Sequence, residues 1–197
     1  PEKQSLSVVI GRDMRLSSPA IFKAITTTLV DLGAQVIDLG LVSTPTFYFA
    51  VFSGKYDSGI QITASHNPKD YNGLKIVRYS TQGLIKIGKS TGMDEVKKLA
   101  LEGTDGSYLK HVFVTTKDEE IVTKEGVVVE EVKNALKIAG SPKIKPLKIV
   151  ADTANAMAAL YIEELFKHIP GELIKMNFEL DGTFPAHPAD PLDADNV

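Results

Sequence analysis

Two short polar segments hold the side chains of this sequence that can do chemistry. Thr63-Ala64-Ser65-His66-Asn67-Pro68 gathers two hydroxyls, an imidazole and an amide, and Gly73 and Lys75 follow closely. Gly11-Arg12-Asp13-Met14-Arg15-Leu16-Ser17-Ser18 adds two guanidinium groups, a carboxylate and two more hydroxyls. Ser65 and His66 are chain neighbours, so their side chains point apart and do not form a nucleophile–base pair. A serine that is not readily deprotonated can instead carry a phosphoryl group. A phosphoserine bears roughly two negative charges and several strong acceptor oxygens, and it needs a cation beside it. Arg12, His66 and Lys75 are the local candidates. A plainer reading stands next to this one. A polar loop with Pro and Asn after a strand is usually a turn. Arg12 and Arg15 are then solvated partners of Asp13, His66 a surface histidine and Lys75 an exposed strand lysine. Taken residue by residue, both readings remain open.

The surrounding pattern says what must position these loops. Ser5–Ile10 is apolar and β-branched, a strand closed by Gly11-Arg12-Asp13. Ser17-Ser18-Pro19 opens a helix with a hydroxyl cap and an early proline, and Ile21, Ile25, Leu29 and Leu32 continue it to Gly33. Val36–Leu39 is the next strand. Pro45 starts a second helix through Phe52. Gly59–Thr63 and Leu74–Val77 read as strands, and Met93–Leu101 as a helix. The alternation of strand and helix predicts a mostly parallel mixed α/β sheet sandwiched by helices. Such sheets bind ligands at the carboxyl ends of their strands, where both polar loops fall.

Residues 104–146 carry the weakest pattern, punctuated by Asp105-Gly106 and by Ser141-Pro142 to Pro146, with a helix expected over Val127–Ile138. The strand–helix order then restarts: a strand over Leu147–Asp152, a helix over Asn155–His168, a strand over Glu172–Phe178 and a Pro/His/Asp loop from Asp181 to Pro191. The expected organisation is a first α/β domain over residues 1–110 and a second, incomplete α/β domain of similar type over 111–197.

Composition narrows the partners. The net charge of −3 provides no electrostatic footprint for nucleic acid or an anionic membrane. An acidic substrate therefore needs a local basic pocket. There are no cysteines, which removes disulfides, thiolate metal sites and a cysteine nucleophile and fits a reducing cytoplasm. The longest apolar run, Thr46–Phe52, is far short of a membrane span, and no signal peptide is visible.

One further pattern invites a phosphate. Gly83-Leu-Ile-Lys-Ile-Gly88-Lys89-Ser90 fits the P-loop spacing. A phosphate cradle requires free backbone N–H groups on a compact loop leading into a helix. Here the loop is filled with Leu84, Ile85 and Ile87, and Gly92 falls in the first turn of the helix. Nucleotide binding through Gly83–Ser90 is a remote alternative.

The segment Gly59-Ile-Gln-Ile-Thr-Ala-Ser-His-Asn-Pro68, continued by Lys69-Asp-Tyr-Asn-Gly-Leu-Lys75, resembles the active-site signature of the α-D-phosphohexomutases. Gly11–Pro19, Val36–Pro45, Ala151-Asp-Thr-Ala-Asn155 and Asp181-Gly-Thr-Phe-Pro185 resemble further segments of that family, in the family's order. The resemblance covers most of the chain and is weakest over 104–146. Thr63-Ala64 with Lys69-Asp-Tyr-Asn72 is most similar to the phosphomannomutase/phosphoglucomutase branch.

The resemblance implies an isomerase that moves a phosphoryl group between C1 and C6 of a hexose phosphate, mannose or glucose, in the cytoplasm. Ser65 would be the phosphorylated serine, with its phosphate also a ligand of a catalytic Mg²⁺. His66 and Asn67 would shape the loop, Lys75 would transfer a proton or stabilise charge, and Arg12 would support the pocket. The ligands implied are hexose 1-phosphate, hexose 6-phosphate and hexose 1,6-bisphosphate, with no nucleic acid and no membrane. Departures accompany the likeness. The family's proteins have four domains. The N-terminal strand and helix, the Asp-Gly-Asp-Arg metal loop and the sugar-recognition domains have no counterpart in these residues, and Ala156 stands where the family usually has glycine. The chain is expected to be a fragment, inactive alone as a mutase. A non-catalytic sugar-phosphate or partner-binding module is the alternative.

Overall fold

The computed structural model describes residues 5–102, 121–190 and 194. The turn expected at Asp105-Gly106 and the end of the loop at Pro191 lie outside the described residues. The elements run β1 (Ser7–Arg12), α1 (Ser18–Asp31), β2 (Gln35–Leu41), α2 (Thr44–Gly54), β3 (Ser58–Ile62), β4 (Leu74–Ser80) and β5 (Gly83–Lys86). A short 3₁₀ turn at Lys89–Thr91 leads into α3 (Met93–Glu102). Then come β6 (Ile121–Thr123), α4 (Val127–Ile138), β7 (Leu147–Asp152), α5 (Ala158–Phe166) and β8 (Gly171–Met176).

A six-stranded sheet has the order β5-β4-β3-β1-β2-β6. Strands β3, β1, β2 and β6 are parallel neighbours, whereas β4 and β5 return antiparallel at one edge. The mostly parallel mixed sheet expected from the pattern is present. Its faces follow from the two-residue period of a strand. Val8 and Ile10 of β1 pack with Val36, Ile62 and the α1 residues Ile21, Ile25 and Leu29 on one face. Val9 packs with Ile37, Leu39, Phe47, Val51 and Val127 on the other, under α2 and α4.

Gly59 is where α2 comes closest: a Cβ there would lie 2.6 Å from Val51 Cγ2 and 2.7 Å from Phe47 Cε2. The glycine in β3 is thus set by helix–sheet packing rather than by a turn.

The pattern and the structure differ in particular places. Ile121–Thr123 adds to the first sheet beside β2, so that sheet draws on residues beyond the boundary set at 110. Helix α5 begins at Ala158 and not at Asn155, because Ala154 and Asn155 adopt left-handed backbone (φ 51° and 57°) and the Asn155 N–H is taken by Asn177 O. Ser17 makes no capping bond to α1; its hydroxyl instead accepts from Asn72 Nδ2 at 2.8 Å. The Gly83–Ser90 segment is strand β5, paired with β4, followed by a turn in which Gly88 N–H donates to Thr91 Oγ1. Its backbone is extended along a sheet edge instead of wrapped into a compact loop, so it forms no phosphate cradle.

The second unit pairs β7 and β8 in parallel across α5. Strand β7 is exposed along nearly its whole length. Helix α4 joins the two units: Val127 belongs to the first core, and Glu131 Oε2 accepts a bond from Thr46 Oγ1 of α2. Half-burial pushes the Glu131 carboxyl above the ordinary carboxylate range, although the Thr46 bond opposes the shift. Among the described residues, no helix is long and apolar enough to cross a membrane.

Candidate active site

Strands β1, β2 and β3 run parallel, so the loops after them converge on one edge of the sheet. A cleft of about 890 Å³ opens there. Its first-unit wall includes Asp13, Ser43, Gln61, Thr63, Ser65, His66 and Lys75. Its other wall comes from the second unit and includes Asp152, Thr153, Met157, Phe184 and His187.

The loop that carries Ser65 is held at both ends and from beneath. Thr63 N–H donates to Gly73 O at 2.9 Å, closing the base. Ser65 N–H donates to Thr63 Oγ1 at 3.0 Å, and the Asn67 amide Nδ2 donates to Ala64 O at 2.7 Å. Asn72 ties the far end to the start of α1 through Ser17 and Ser18. Ser65 sits at φ 57°, a left-handed conformation that costs a non-glycine residue about 1–2 kcal/mol. The enforced turn leaves the Ser65 side chain exposed on the cleft floor.

Arg15 is what enforces it. The guanidinium is 1% exposed, and each of its N–H groups is used. Nε donates to Asp13 Oδ2 at 3.2 Å. Nη1 donates to Pro68 O and Tyr71 O at 2.7 and 3.0 Å, and Nη2 to Ser65 O and Asn67 O at 2.9 and 2.7 Å. A planar fork of donors matches such a set of carbonyls better than an ammonium can. Asp13 completes the unit by accepting from Arg15 N–H and from Ser18 Oγ.

Arg12 is not with this group. It has the strand parity of Val8 and Ile10, so it faces α1, where Nη1 binds Asp38 Oδ1 at 2.8 Å and the guanidinium lies 4.0 Å from the Phe22 ring centre. Arg15, which sequence reading left as a solvated partner of Asp13, has the central place. The G-R-D-x-R spacing was the available signal, since a residue past the strand end escapes strand parity. Ser65, His66 and Lys75 do come together on the cleft, and Asn67 shapes the loop without lining it. Lys75 is opposite Gln61 in the β3–β4 register. It forms no ion pair among the described residues and is the one lysine or arginine among the described residues lining the cleft.

Several lining groups lie in family-like segments of the sequence without a chemical role assigned to them there. Gln61, 1% exposed, reaches over Gly11 to donate from Nε2 to Val42 O at 2.9 Å, leaving its Oε1 without a partner. It pins β3 to the start of α2. There Ser43 caps the helix by accepting from Thr46 N–H, and Ser43, Thr44 and Pro45 line the cleft. Met157 and Ala158, at the start of α5, line it from the other side. Two helix N-termini thus face the space, and both favour an anion. In the second unit the Ala154 N–H bond chiefly holds the Asp152 carboxyl below the ordinary range; burial opposes it, and Asn177 and the His187 charge reinforce it.

Comparison with known proteins follows the same division. The models of phosphoglucomutase/phosphomannomutase α/β/α domain I and domain II match residues 1–99 and 128–197. The chain belongs to the phosphoglucomutase/phosphomannomutase family. It is 38% identical over 191 residues to a phosphomannomutase of Vibrio cholerae, covering 94% of this chain and 39% of that protein. It is 33% identical to a phosphomannomutase/phosphoglucomutase of Pseudomonas aeruginosa, covering 96% of this chain and 37% of that one. A phosphoglucomutase/phosphomannomutase family protein of Burkholderia thailandensis superposes with a TM-score of 0.72 at 33% identity, over 97% of this chain and 40% of that structure. The chain spans about two fifths of the length of these relatives.

Proposed function

We propose that this chain supplies the phosphoryl-carrying loop of a hexose-phosphate mutase that interconverts the 1- and 6-phosphates of mannose or glucose in the cytoplasm. One observation carries the reading. Ser65 is held by a buried Arg15 scaffold in a left-handed turn that exposes it on a cleft also lined by Lys75 and by the first residues of two helices. A turn that served only to reverse the chain would need neither the buried guanidinium nor the strained serine.

In the proposed reaction the free sugar hydroxyl attacks phosphoserine. The new O–P bond forms as the Ser65 Oγ–P bond breaks, and the hydroxyl proton passes by way of Lys75 to Oγ. The bisphosphate turns over in the cleft. Ser65 Oγ then takes the other phosphoryl group and the proton returns to the sugar. Such a transfer rests on positioning and charge neutralisation. The helix N-termini, Lys75 and His66 supply part of that neutralisation.

The residues present do not by themselves make the Mg²⁺ site that the family implies. Among the described residues no three His, Asp or Glu side chains cluster to hold a metal ion, and Asp13 is spent on Arg15 and Ser18. A Ser65 phosphate would give one ligand, and the others would come from a part of the protein beyond these residues. For the same reason the 197-residue chain alone is proposed to be inactive.

The test is a peptide-resolved mass map of the protein expressed from its natural gene, with turnover assays on hexose 1-phosphate and Mg²⁺. Phosphate on Ser65, loss of turnover in Ser65→Ala and no turnover by the isolated chain are expected. Turnover that survives Ser65→Ala would refute the phosphoserine reading. Binding of hexose phosphate without turnover would leave a binding module instead.

A further inference from the structure

The loop after β8 leans on the Arg15 scaffold, and it does so with backbone. A Cβ on Gly182 would lie 2.5 Å from Met14 O, 2.8 Å from Leu16 N and 2.9 Å from Arg15 Cα. Only glycine allows so close an approach without a shift of main chain. Two residues on, the Phe184 ring centre lies 5.2 Å from the Arg15 guanidinium carbon. Phe184 is itself held at φ 52°, in a turn closed by its N–H to Asp181 O at 3.1 Å. Asp181 in turn accepts from the N–H and hydroxyl of Thr183, bonds that hold its carboxyl below the ordinary range. A strained aromatic residue is thereby pressed against a cation that has already used every donor.

We propose that Phe184 is a positioning residue for the Ser65 loop, acting through Arg15, so that the seating of the second unit sets the shape of the phosphoserine turn. The path is continuous: Phe184 covers the guanidinium, and the guanidinium holds the carbonyls of Ser65, Asn67, Pro68 and Tyr71. The ring raises the energy of any arrangement in which Arg15 swings out toward water, because a desolvated cation loses its aromatic face. The same loop carries His187 and Phe184 into the cleft wall. Any arrangement of this loop that withdraws the ring uncovers the Arg15 guanidinium, so the seating of the second unit and the turn at Ser65 are coupled. This coupling rests on the proposed role of Ser65 for its catalytic meaning, but its structural content is independent of that role.

The experiment is peptide-resolved hydrogen exchange on the full-length protein, comparing wild type with Phe184→Leu and Phe184→Tyr. In Phe184→Leu, amides of the Ser65 loop should exchange about tenfold faster, while those of β1–β3 stay at wild-type rates. Phe184→Tyr keeps the aromatic face and should restore protection. Turnover measured alongside should show kcat falling with KM little changed in Phe184→Leu, with recovery in Phe184→Tyr. Unchanged exchange over the Ser65 loop would overturn the proposal. So would an equal rise over the whole first sheet, which would mean general destabilisation. Protection that follows the aromatic ring in a protein whose Ser65 is never phosphorylated would keep the coupling and remove the mutase reading.

Discussion

Replacing Arg15 by lysine preserves the charge and removes the fork. The guanidinium makes one bond to Asp13 Oδ2 and one each to the carbonyls of Ser65, Asn67, Pro68 and Tyr71. An ammonium has three donors on a single nitrogen, so at least two of these five acceptors lose their partner. A hydrogen bond to a charged group is worth about 1.5–3 kcal/mol net, which gives about 3–6 kcal/mol for two. The four carbonyl bonds are only partly buried, and water can replace part of the loss. A cost of about 2–4 kcal/mol results, after discounting for rehydration. In a domain of this size that lowers Tm by about 4–16 °C. The assay is a thermal melt followed by circular dichroism, paired with limited proteolysis across 65–72. Arg15→Lys should melt earlier and be cut first within the Ser65 loop. A variant that melts within a degree of wild type, with no new cleavage there, would refute the assignment of Arg15 as the scaffold of the loop.

Gly59→Ala places a methyl group against Val51 and Phe47 and should destabilise by about 1–3 kcal/mol, read as a lower urea midpoint with an unchanged slope. Glu131→Gln should stabilise the fold at neutral pH. Burial raises the folded carboxyl, so wild type is most stable with it protonated and loses stability as pH rises through that value; melts from pH 3.5 to 8 should diverge from wild type only above about pH 4. Asp57 shows the opposite sign. Bonds from Ser7 N–H and Oγ lower its folded pKa, so its contribution is present above the unfolded value of about 3.9 and is lost as pH falls through the lower folded one; Asp57→Asn should flatten that acid limb of the stability curve.

Much of the fold was legible because it rests on local periodicity. Val127–Ile138 and Leu147–Asp152 appear with the bounds the pattern predicts, since apolar spacing and Pro/Gly punctuation are written into the segments themselves. Strand β6 was not legible: it is short and exposed, and only its pairing with β2 makes it a strand. Strand β5 was masked by a phosphate-loop spacing that its pairing with β4 overrules.

The sequence by itself determined that Ser65 heads a chemically loaded loop at the carboxyl edge of an α/β sheet, because residue type and strand order are local facts. Only the tertiary structure decided which arginine serves it. Arg12 and Arg15 are close in the chain, yet one turns to α1 by strand parity and the other leaves the strand to gather carbonyls from fifty or more residues away. The structure also brought Phe184 and His187 from the second unit into the cleft. A linear pattern records how each segment buries its own apolar face, but not which distant backbone will come within hydrogen-bond reach once those faces meet.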